Sequence, residues 1–281
     1  MDNELYVSRP FTAPGGFTPG IEGPACDRDG NLYAVNYARE GTIGKVTPDG
    51  QCSVFVELPE GSVANGIRFH GQGFMLAADY TGHNLLRIDL DTRRVSVWAH
   101  EDRLNQPNDI AIGANDLVYA SDPNWNDSTG QIWRVGPDRT FVLLEAGMGT
   151  TNGIEVDPEE RLLYVNQTVQ RDVWVFDLSA DGATRNKRLL IQFPDHGMDG
   201  MRCDVDGNLY ITRWGKGTVA KVSPAGKVLL EVTLGGEKPS NIAFGGPDGC
   251  TCYVTLQDRG NVESFRVERP GRAWQLFRRN A

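Results

Sequence analysis

The chain has 281 residues, with 28 Lys and Arg against 37 Asp and Glu for a net charge of −9, and 40% of its residues are hydrophobic. No run of basic residues forms a stripe that could follow a phosphate backbone, so nucleic acid is not an expected partner. No segment approaches the roughly 18 uninterrupted apolar residues of a membrane span. The first residues, MDNELYVSRPF, also lack the basic start and apolar stretch of a secretory signal, so we expect a soluble cytoplasmic protein with no membrane partner.

In chain order, the first predicted element is a strand over residues 4–11. Six similar segments then follow at intervals of 41 to 47 residues, and each contains a short apolar strand, a turn and a second strand. They begin at Glu22, Asn65, Asn108, Asn152, Asp199 and Ser240. In the first unit the inner strand leads through Asp29-Gly30-Asn31 into a strand over 32–36, and outer strands are predicted over 42–46 and 52–56. In the fifth unit a strand over 209–212 follows Asp206-Gly207-Asn208.

This repeat predicts an all-β fold, a six-bladed β-propeller with four-stranded blades that forms one domain over residues 1–281. No long segment has apolar residues at helical spacing, so little helix is expected. Residues 4–11 should pair with the last blade and close the ring, which would hide exposed strand edges. Residues 274–277 are a competing candidate for that role.

The five cysteines are odd in number, and their spacing matches neither a zinc site nor a disulfide scaffold. They are Cys26, Cys52, Cys203, Cys250 and Cys252. We expect most of them to be reduced, and Cys250 with Cys252 has no second pair with which to form a metal site.

The first residue of each repeat is the strongest functional signal in the sequence. Innermost strands line the channel of a propeller, so the six starting residues should form one ring of two carboxylates, three amides and a hydroxyl. Two unpaired carboxylates in a narrow channel require either a shared proton or a balancing cation. An all-oxygen set of this kind favours Ca²⁺, with Mg²⁺ or Mn²⁺ as substitutes, whereas Zn²⁺ would normally take His or Cys.

Two alternatives compete with a metal ring. Asn-Gly and Asp-Gly are also common hairpin dipeptides, so Asn65, Asn152 and Asp199 could each be a turn residue. Their recurrence in register, each followed by an apolar strand and only then by a turn, favours the start of an inner strand. The second alternative is a water-filled channel whose polar groups satisfy one another.

At these residues the sequence resembles the senescence-marker-protein/gluconolactonase family of six-bladed propellers, which includes regucalcin-like proteins, along essentially the whole chain. The resemblance is carried by Glu22-Gly23-Pro24, Pro107-Asn108-Asp109, Ser121-Asp122-Pro123, Thr151-Asn152-Gly153 and Asp199-Gly200-Met201, leading into Gly207-Asn208-Leu209-Tyr210. It implies one divalent metal ion, usually Ca²⁺ but exchangeable with Zn²⁺, Mn²⁺ or Mg²⁺. The implied ligands are Glu22, Asn152 and Asp199, with Asn108 either completing the coordination or contacting substrate.

The resemblance also implies a hydrolase that opens sugar lactones such as gluconolactone. Related diisopropyl fluorophosphatases cleave organophosphates on a similar metal ring. Where that branch has a histidine in the last blade, this chain has Pro239-Ser240-Asn241, which counts against the phosphatase alternative. The mammalian branch has an arginine where this chain has Gln106, so substrate contacts should differ there.

Asp199 is the candidate catalytic base, from the resemblance and because it is one of two ring carboxylates. A water activated by the metal, with Asp199 only orienting it, is the alternative, because direct ligation weakens a carboxylate as a base. Asn108, Gln106, Trp125 and Arg213 are the predicted substrate contacts. Further candidates around the pocket, which follow second strands in their blades, are Tyr37, Tyr80, Asn126 and Trp214.

The predicted function is therefore metal-dependent lactone hydrolysis by a monomer or small homo-oligomer. A non-catalytic propeller that binds partners on its faces is the alternative from a different class. A propeller that only binds partners on its faces does not require two carboxylates without a basic partner in its channel. The predicted ring therefore favours the enzyme over the non-catalytic alternative.

Overall fold

The computed structural model describes residues 4–279, in which 24 strands form six four-stranded antiparallel sheets around a central channel. The predicted six-bladed β-propeller is therefore confirmed. Among the described residues there is one short helix, α1 (Arg272–Arg279), and no helix is both long and apolar enough to cross a membrane.

Each blade runs from an innermost strand at the channel to an outermost strand at the rim. The first three blades contain β2 (Phe17–Cys26), β3 (Leu32–Tyr37), β4 (Thr42–Val46) and β5 (Cys52–Glu57); β6 (Ala64–Phe69), β7 (Phe74–Asp79), β8 (Asn84–Asp89) and β9 (Val95–His100); and β10 (Ile110–Ile112), β11 (Val118–Asp122), β12 (Gly130–Val135) and β13 (Phe141–Met148). The next two contain β14 (Thr151–Val156), β15 (Leu162–Gln167), β16 (Asp172–Leu178) and β17 (Thr184–Gln192); and β18 (Met201–Cys203), β19 (Leu209–Arg213), β20 (Thr218–Val222) and β21 (Val228–Thr233). The last contains β22 (Pro239–Gly245), β23 (Thr251–Leu256) and β24 (Asn261–Arg266), and its outermost strand is β1 (Arg9–Pro10).

The ring closes by pairing the two ends of the chain in one blade. β1 pairs antiparallel with β24, with Arg9 opposite Ser264 and Pro10 opposite Glu263. A strand from residues 4–11 was expected in this place, and the alternative from residues 274–277 is wrong because that segment belongs to α1. Closure leaves no blade of the ring without a neighbour, and so protects the sheet edges that would otherwise be exposed.

The hydrophobic core is divided into six clusters, each between two neighbouring blades. Between the first two blades, for example, Val35 and Ile43 pack with Ile67 and Met75 in one buried cluster. The middle strands contribute to clusters on both faces, and β7 is buried along its whole length. The six clusters hold the inner strands at fixed positions around the channel.

Glycine after a ring residue allows the inner strands to approach closely. The Gly200 N–H donates to the Ser240 carbonyl of the next blade at 2.7 Å, and a Cβ on Gly200 would lie 2.0 Å from Asn241 atoms. Gly23 has a φ of +56°, and a Cβ there would lie 1.9 Å from the Asn65 carbonyl oxygen. The X-Gly dipeptides therefore mark close contacts between inner strands, and the hairpin-turn alternative is wrong.

The five cysteines are all unpaired. Cys203 and Cys252 are buried within blade cores, where they behave as small apolar side chains.

Candidate active site

Five of the six predicted ring residues line one cavity at an end of the channel, with a volume of about 450 Å³. These are Glu22, Asn65, Asn108, Asn152 and Asp199. Glu22, Asn65 and Asn152 lie in innermost strands, and Asn108 and Asp199 lie two residues before β10 and β18. Ser240 is instead buried, and its hydroxyl donates to the Ile21 carbonyl at 2.8 Å, so it holds two blades together.

Three amide oxygens in this cavity accept no hydrogen bond from any residue in the range 4–279. They are the Oδ1 atoms of Asn65, Asn108 and Asn152, all of them buried. Asn152 shows how such an oxygen is oriented: its Nδ2 donates to the Thr168 hydroxyl at 3.0 Å, which leaves Oδ1 for another partner. Buried acceptors are normally satisfied, so these three oxygens are available to a cation or to a hydrogen-bond donor in the cavity.

Glu22 is buried and Asp199 is partly exposed, and loss of water disfavours the charged form of both carboxylates. Burial is the main reason that the pKa of Glu22 is raised to about 7, and the negative charge of Asp109 raises it further. Burial and then the charge of Glu22 raise the pKa of Asp199 well above its ordinary value, against a hydrogen bond from Asn152. A pair of this kind holds a proton near neutral pH unless a cation replaces it.

Glu22 is held more firmly than Asp199. Its Oε2 accepts the Gly23 N–H at 2.5 Å and Asn241 Nδ2 at 2.9 Å. Asn241 Nδ2 also lies 3.4 Å from an oxygen of Asp109, so one amide connects the ring to the layer below.

Below the ring, the channel is filled by an ion cluster that the sequence interpretation missed. Asp109 is fully buried and accepts from Arg202 Nη1 at 2.8 Å, while Arg68 Nη1 lies 3.3 Å away. Burial raises the pKa of Asp109, but the two guanidinium groups outweigh burial and leave the pKa below its ordinary value. None of the six ring residues is Lys or Arg, and these two arginines form their ion pairs with Asp109.

A signal for this cluster was present in the repeat. At the second position of the six units, four glycines accompany Asp109 and Asn241, and at the fourth position three alanines accompany Arg68, Glu155 and Arg202. Charged residues that interrupt a pattern of Gly and Ala on inner strands would have indicated a second and third layer in the channel.

Aromatic residues form part of the cavity wall. Tyr80, Trp125 and Trp214 line it, and all three follow second strands as the sequence suggested. The Trp214 indole donates to Gln257 Oε1 at 3.0 Å, which orients the ring against the cavity. Other lining residues that sequence reasoning did not single out are Gly20, Asn36, Glu40, Val63, Ala64, Thr168 and Gln257.

The structure places two of the predicted substrate contacts outside the cavity lining. Arg213 is fully buried, its Nη2 donates to Asp195 Oδ1 at 2.7 Å, and its guanidinium lies 3.8 Å from the centre of the Phe193 ring. Its charge therefore serves the scaffold, because the end of β19 turns the side chain towards the neighbouring loop. These contacts hold the Arg213 guanidinium outside the cavity lining, and its role as a substrate contact stays a prediction.

Gln106 is half-buried and positions the chain before Asn108. The backbone N–H groups of Asn105 and Gln106 donate to the buried Asp122 carboxylate, the latter at 2.6 Å. The Asn108 N–H donates to the Ser121 carbonyl at 2.8 Å. Tyr37 and Asn126 are also absent from the cavity lining.

The residues present fit a hard divalent cation. Glu22 and Asp199 supply negative charge, and three orphaned amide oxygens supply neutral donors, which is a set typical of Ca²⁺. No group of three or more His, Cys, Asp or Glu in the described part of the chain could form a site by itself, so the amides are essential to any such centre.

Comparison with known proteins agrees with this architecture. A family model described as the SMP-30/gluconolactonase/LRE-like region matches residues 20–258. A gluconolactonase of Zymomonas mobilis is 28% identical, over 95% of this chain and 84% of that protein. The diisopropyl-fluorophosphatase of Loligo vulgaris is 24% identical over 96% of each. The crystal structure of regucalcin, a calcium-binding protein of Agrobacterium tumefaciens, superposes with a TM-score of 0.79 at 21% identity over 92% of this chain and 96% of that one. The chain belongs to the SMP-30/gluconolactonase/LRE-like family.

Proposed function

We propose that the protein is a metal-dependent hydrolase that opens uncharged sugar lactones in the cavity at the end of its channel. The observation that carries this is the convergence of three unpartnered amide oxygens and two desolvated carboxylates in one cavity. The relationship to a gluconolactonase over nearly the whole chain supports the reaction type.

Glu22, Asn108, Asn152 and Asp199 would hold the ion, and Asn65 offers a further oxygen on the same wall. We favour Ca²⁺, because every donor is a hard oxygen, and the regucalcin with the same fold is described as calcium-binding. When bound, such an ion polarises the lactone carbonyl and lowers the pKa of water.

Asp199 is the residue that we assign to proton transfer. Lactone opening requires a proton to leave the attacking water and a proton to reach the ring oxygen as the acyl bond breaks. Glu22 accepts two strong hydrogen bonds that favour its charged form, whereas burial and the neighbouring charge favour the protonated form of Asp199. Asp199 is therefore the better proton acceptor, and it can return the same proton to the leaving oxygen.

The cavity wall selects an uncharged substrate. Among its lining residues there is no Lys, Arg or His, whereas Glu40 adds a further negative charge to those of Glu22 and Asp199. A phosphorylated or sulfonated lactone would find no positive side chain among the lining residues themselves; the exposed Lys238, whose Nζ lies 5.2 Å from the centre of the Trp214 ring, is a cation beside them. Trp125 and Trp214, each more than a third exposed, offer flat apolar faces on which a sugar ring can stack.

The test is hydrolysis of five- and six-carbon aldonolactones, with Ca²⁺, Mg²⁺, Mn²⁺ and Zn²⁺ each added to metal-stripped protein. We expect activity that disappears on chelation and returns with metal, and a preference for gluconolactone over its 6-phosphate of at least about 10²-fold in kcat/KM, the scale of leaving a charge unpaired in a buried site. Activity that survives chelation with no metal by elemental analysis would contradict the mechanism.

A fluorophosphate ester belongs in the same screen, because the fluorophosphatase of Loligo vulgaris matches 96% of this chain. Its hydrolysis without any lactone hydrolysis would replace the proposed substrate class. A protein that binds metal but turns over neither substrate would favour the non-catalytic alternative.

A further inference from the structure

A second set of buried polar side chains repeats around the channel, outside the ring residues. One of them lies fourteen positions after each of the first five ring residues and fifteen positions after Ser240, at or next to the end of the second strand of its blade. Each is at most 3% exposed. They are Asn36, Asp79, Asp122, Asn166, Arg213 and Thr255. Since buried polar groups are normally hydrogen-bonded, the partners of each show which part of the chain it holds in place.

Asn166 joins the segments that carry two of the ring residues. Its Oδ1 accepts the N–H of Gly153, the residue after Asn152, at 3.1 Å. Its Nδ2 donates to the main-chain carbonyl of Asp199 in the next blade at 2.6 Å. One fully buried amide therefore links the main chain beside Asn152 to the main chain of Asp199.

The strand pairing is irregular where this amide is inserted. The register of β14 with β15 shifts between Thr151 and Ile154, and Asn152 and Gly153 lie within that irregular stretch. Irregularities of this kind change the direction of side chains and are common beside active sites. The Gly153 N–H donates to the side chain of Asn166, so a side chain fixes the main chain at this point.

Two other pairs of neighbouring blades make the corresponding contact directly. The Gly66 N–H donates to the Asn108 carbonyl at 2.8 Å, and the Gly200 N–H donates to the Ser240 carbonyl at 2.7 Å. In the fourth blade the N–H at the same repeat position donates to the Asn166 amide, which donates in turn to the fifth blade. A substitution can therefore remove this link while the main chain stays as it is.

The contact between the fourth and fifth blades is close and held from both sides. The Asp199 N–H donates to the Thr212 carbonyl of its own blade at 3.1 Å, while the Asp199 carbonyl accepts from Asn166. A Cβ on Gly153 would lie 2.6 Å from both Asn166 Nδ2 and the Asp199 carbonyl oxygen. The main chain at Asp199 is thus tied to its own blade and, through Asn166, to the blade that carries Asn152.

We infer that Asn166 is a positioning residue of the metal centre, which fixes Asn152 and Asp199 relative to each other and so sets the size of the cation that the site accepts. The inference rests on the proposed function, in which Asn152 and Asp199 are both ligands. Oxygen ligands lie at about 2.3–2.6 Å from Ca²⁺ but at about 2.0–2.1 Å from Mg²⁺. A site held at the larger spacing resists contraction around the smaller ion, and loss of the link should reduce its preference for Ca²⁺.

Calorimetric titration of metal-stripped, full-length wild type and Asn166→Thr with Ca²⁺ and with Mg²⁺ tests this inference. Threonine occupies the equivalent position in the sixth blade, where Thr255 Oγ1 accepts the Asn241 N–H at 3.0 Å. The variant can therefore keep the bond within its blade while it removes the donor to Asp199. We expect Ca²⁺ to bind at least about tenfold more weakly, the scale of losing a partner of a metal ligand, and Mg²⁺ to be affected much less. Equal weakening of both ions, or no weakening, would overturn the inference.

Asp79→Asn is the matched control for a loss of stability. Asp79 occupies the same repeat position in the second blade and is also fully buried. Its hydrogen-bond donors lie outside the ring and include Ser62, Thr81, Gly82 and Asn84. The control should lower Tm in thermal denaturation but leave the ratio of the Ca²⁺ and Mg²⁺ affinities unchanged. A control that shifts the ratio as much as Asn166→Thr would mean that general loosening causes the effect, and the inference would fail.

A second variant, Asn166→Ser, repeats the test with a smaller side chain that adds no methyl group to the buried site. Its hydroxyl is too short to bridge the two segments, so it should lower the ratio of affinities as Asn166→Thr does. Wild-type protein that binds neither ion would contradict the proposed function and this inference with it. Wild-type protein that prefers Ca²⁺, with the same preference in both Asn166 variants, would overturn this inference alone.

Discussion

Replacing Glu22 by Gln should stabilise the metal-free protein at alkaline pH while it impairs metal binding. Glu22 is 5% exposed, and its Oε2 accepts two hydrogen bonds that a glutamine carbonyl oxygen can also accept. The substitution therefore preserves shape and hydrogen bonding while it removes one of two neighbouring buried charges. In the proposed function, binding energy from the ion would offset the cost of that charge.

The magnitude follows from the pKa of Glu22, which burial and then Asp109 raise from 4.5 to about 7. A raised pKa means that the folded state prefers the protonated acid, so the stability it contributes is fully present below about pH 4.5 and is lost as pH rises through about 7. At about 1.36 kcal/mol per pKa unit, ionisation costs the folded protein about 3 kcal/mol, or roughly 6 °C in Tm for a large domain.

The assay is urea denaturation of chelated wild type and Glu22→Gln at intervals between pH 4.5 and 8.5. The free energies of unfolding should coincide at the acid end and separate as pH rises, with the variant the more stable at pH 8. Saturating Ca²⁺ should then stabilise the wild type more than the variant. Glu40→Gln is the matched control, since Glu40 lines the same cavity but is exposed, and it should show no such separation. A difference that stays constant with pH, or a less stable variant at pH 8, would refute the reasoning.

Three further predictions concern the ring and its support. Asp199→Asn should lower kcat for lactone by at least about 10²-fold and weaken metal binding, because it removes both a charge and the proton acceptor; near-normal turnover in kinetic assays would show that the base is misassigned. Asn152→Ala should weaken metal binding in calorimetric titrations more than Asn65→Ala, because Asn152 is 3% exposed and Asn65 only half-buried; the reverse order would contradict the proposed ligand set. Gly200→Ala should cost about 1–3 kcal/mol of stability in denaturant titrations, since its Cβ would meet Asn241 at 2.0 Å, and an unchanged midpoint would mean that the inner strands can separate freely.

The repeat allowed the fold to be predicted from the amino-acid sequence alone. Six units in register, each with a turn such as Asp29-Gly30-Asn31 between two apolar strands, predicted blade number, strand number and the ring of starting residues. The predicted strand over 42–46 coincides with β4 (Thr42–Val46). These features are local or periodic, so they leave a signature in the order of residues.

The order of residues could not show which side chains form hydrogen bonds or ion pairs with neighbouring elements. Ser240 belongs to the ring in register, yet its hydroxyl bonds the Ile21 carbonyl in the first blade. Arg213 follows a second strand as the cavity aromatics do, yet its guanidinium pairs with Asp195. Each outcome depends on the rotation of a side chain into a neighbouring element, which a repeat position does not determine.

By itself, then, the sequence determined the propeller, its closure by residues near the amino terminus, and the candidates Glu22, Asn108, Asn152 and Asp199. Only the tertiary structure decided that three amide oxygens have no hydrogen-bond partner among residues 4–279, that Asp109 holds two arginines below the ring, and that α1 closes the far end of the channel. The physical reason is distance along the chain. Arg202 and Asp109 are 93 residues apart in sequence and 2.8 Å apart in space, and only the closed ring of blades brings them together.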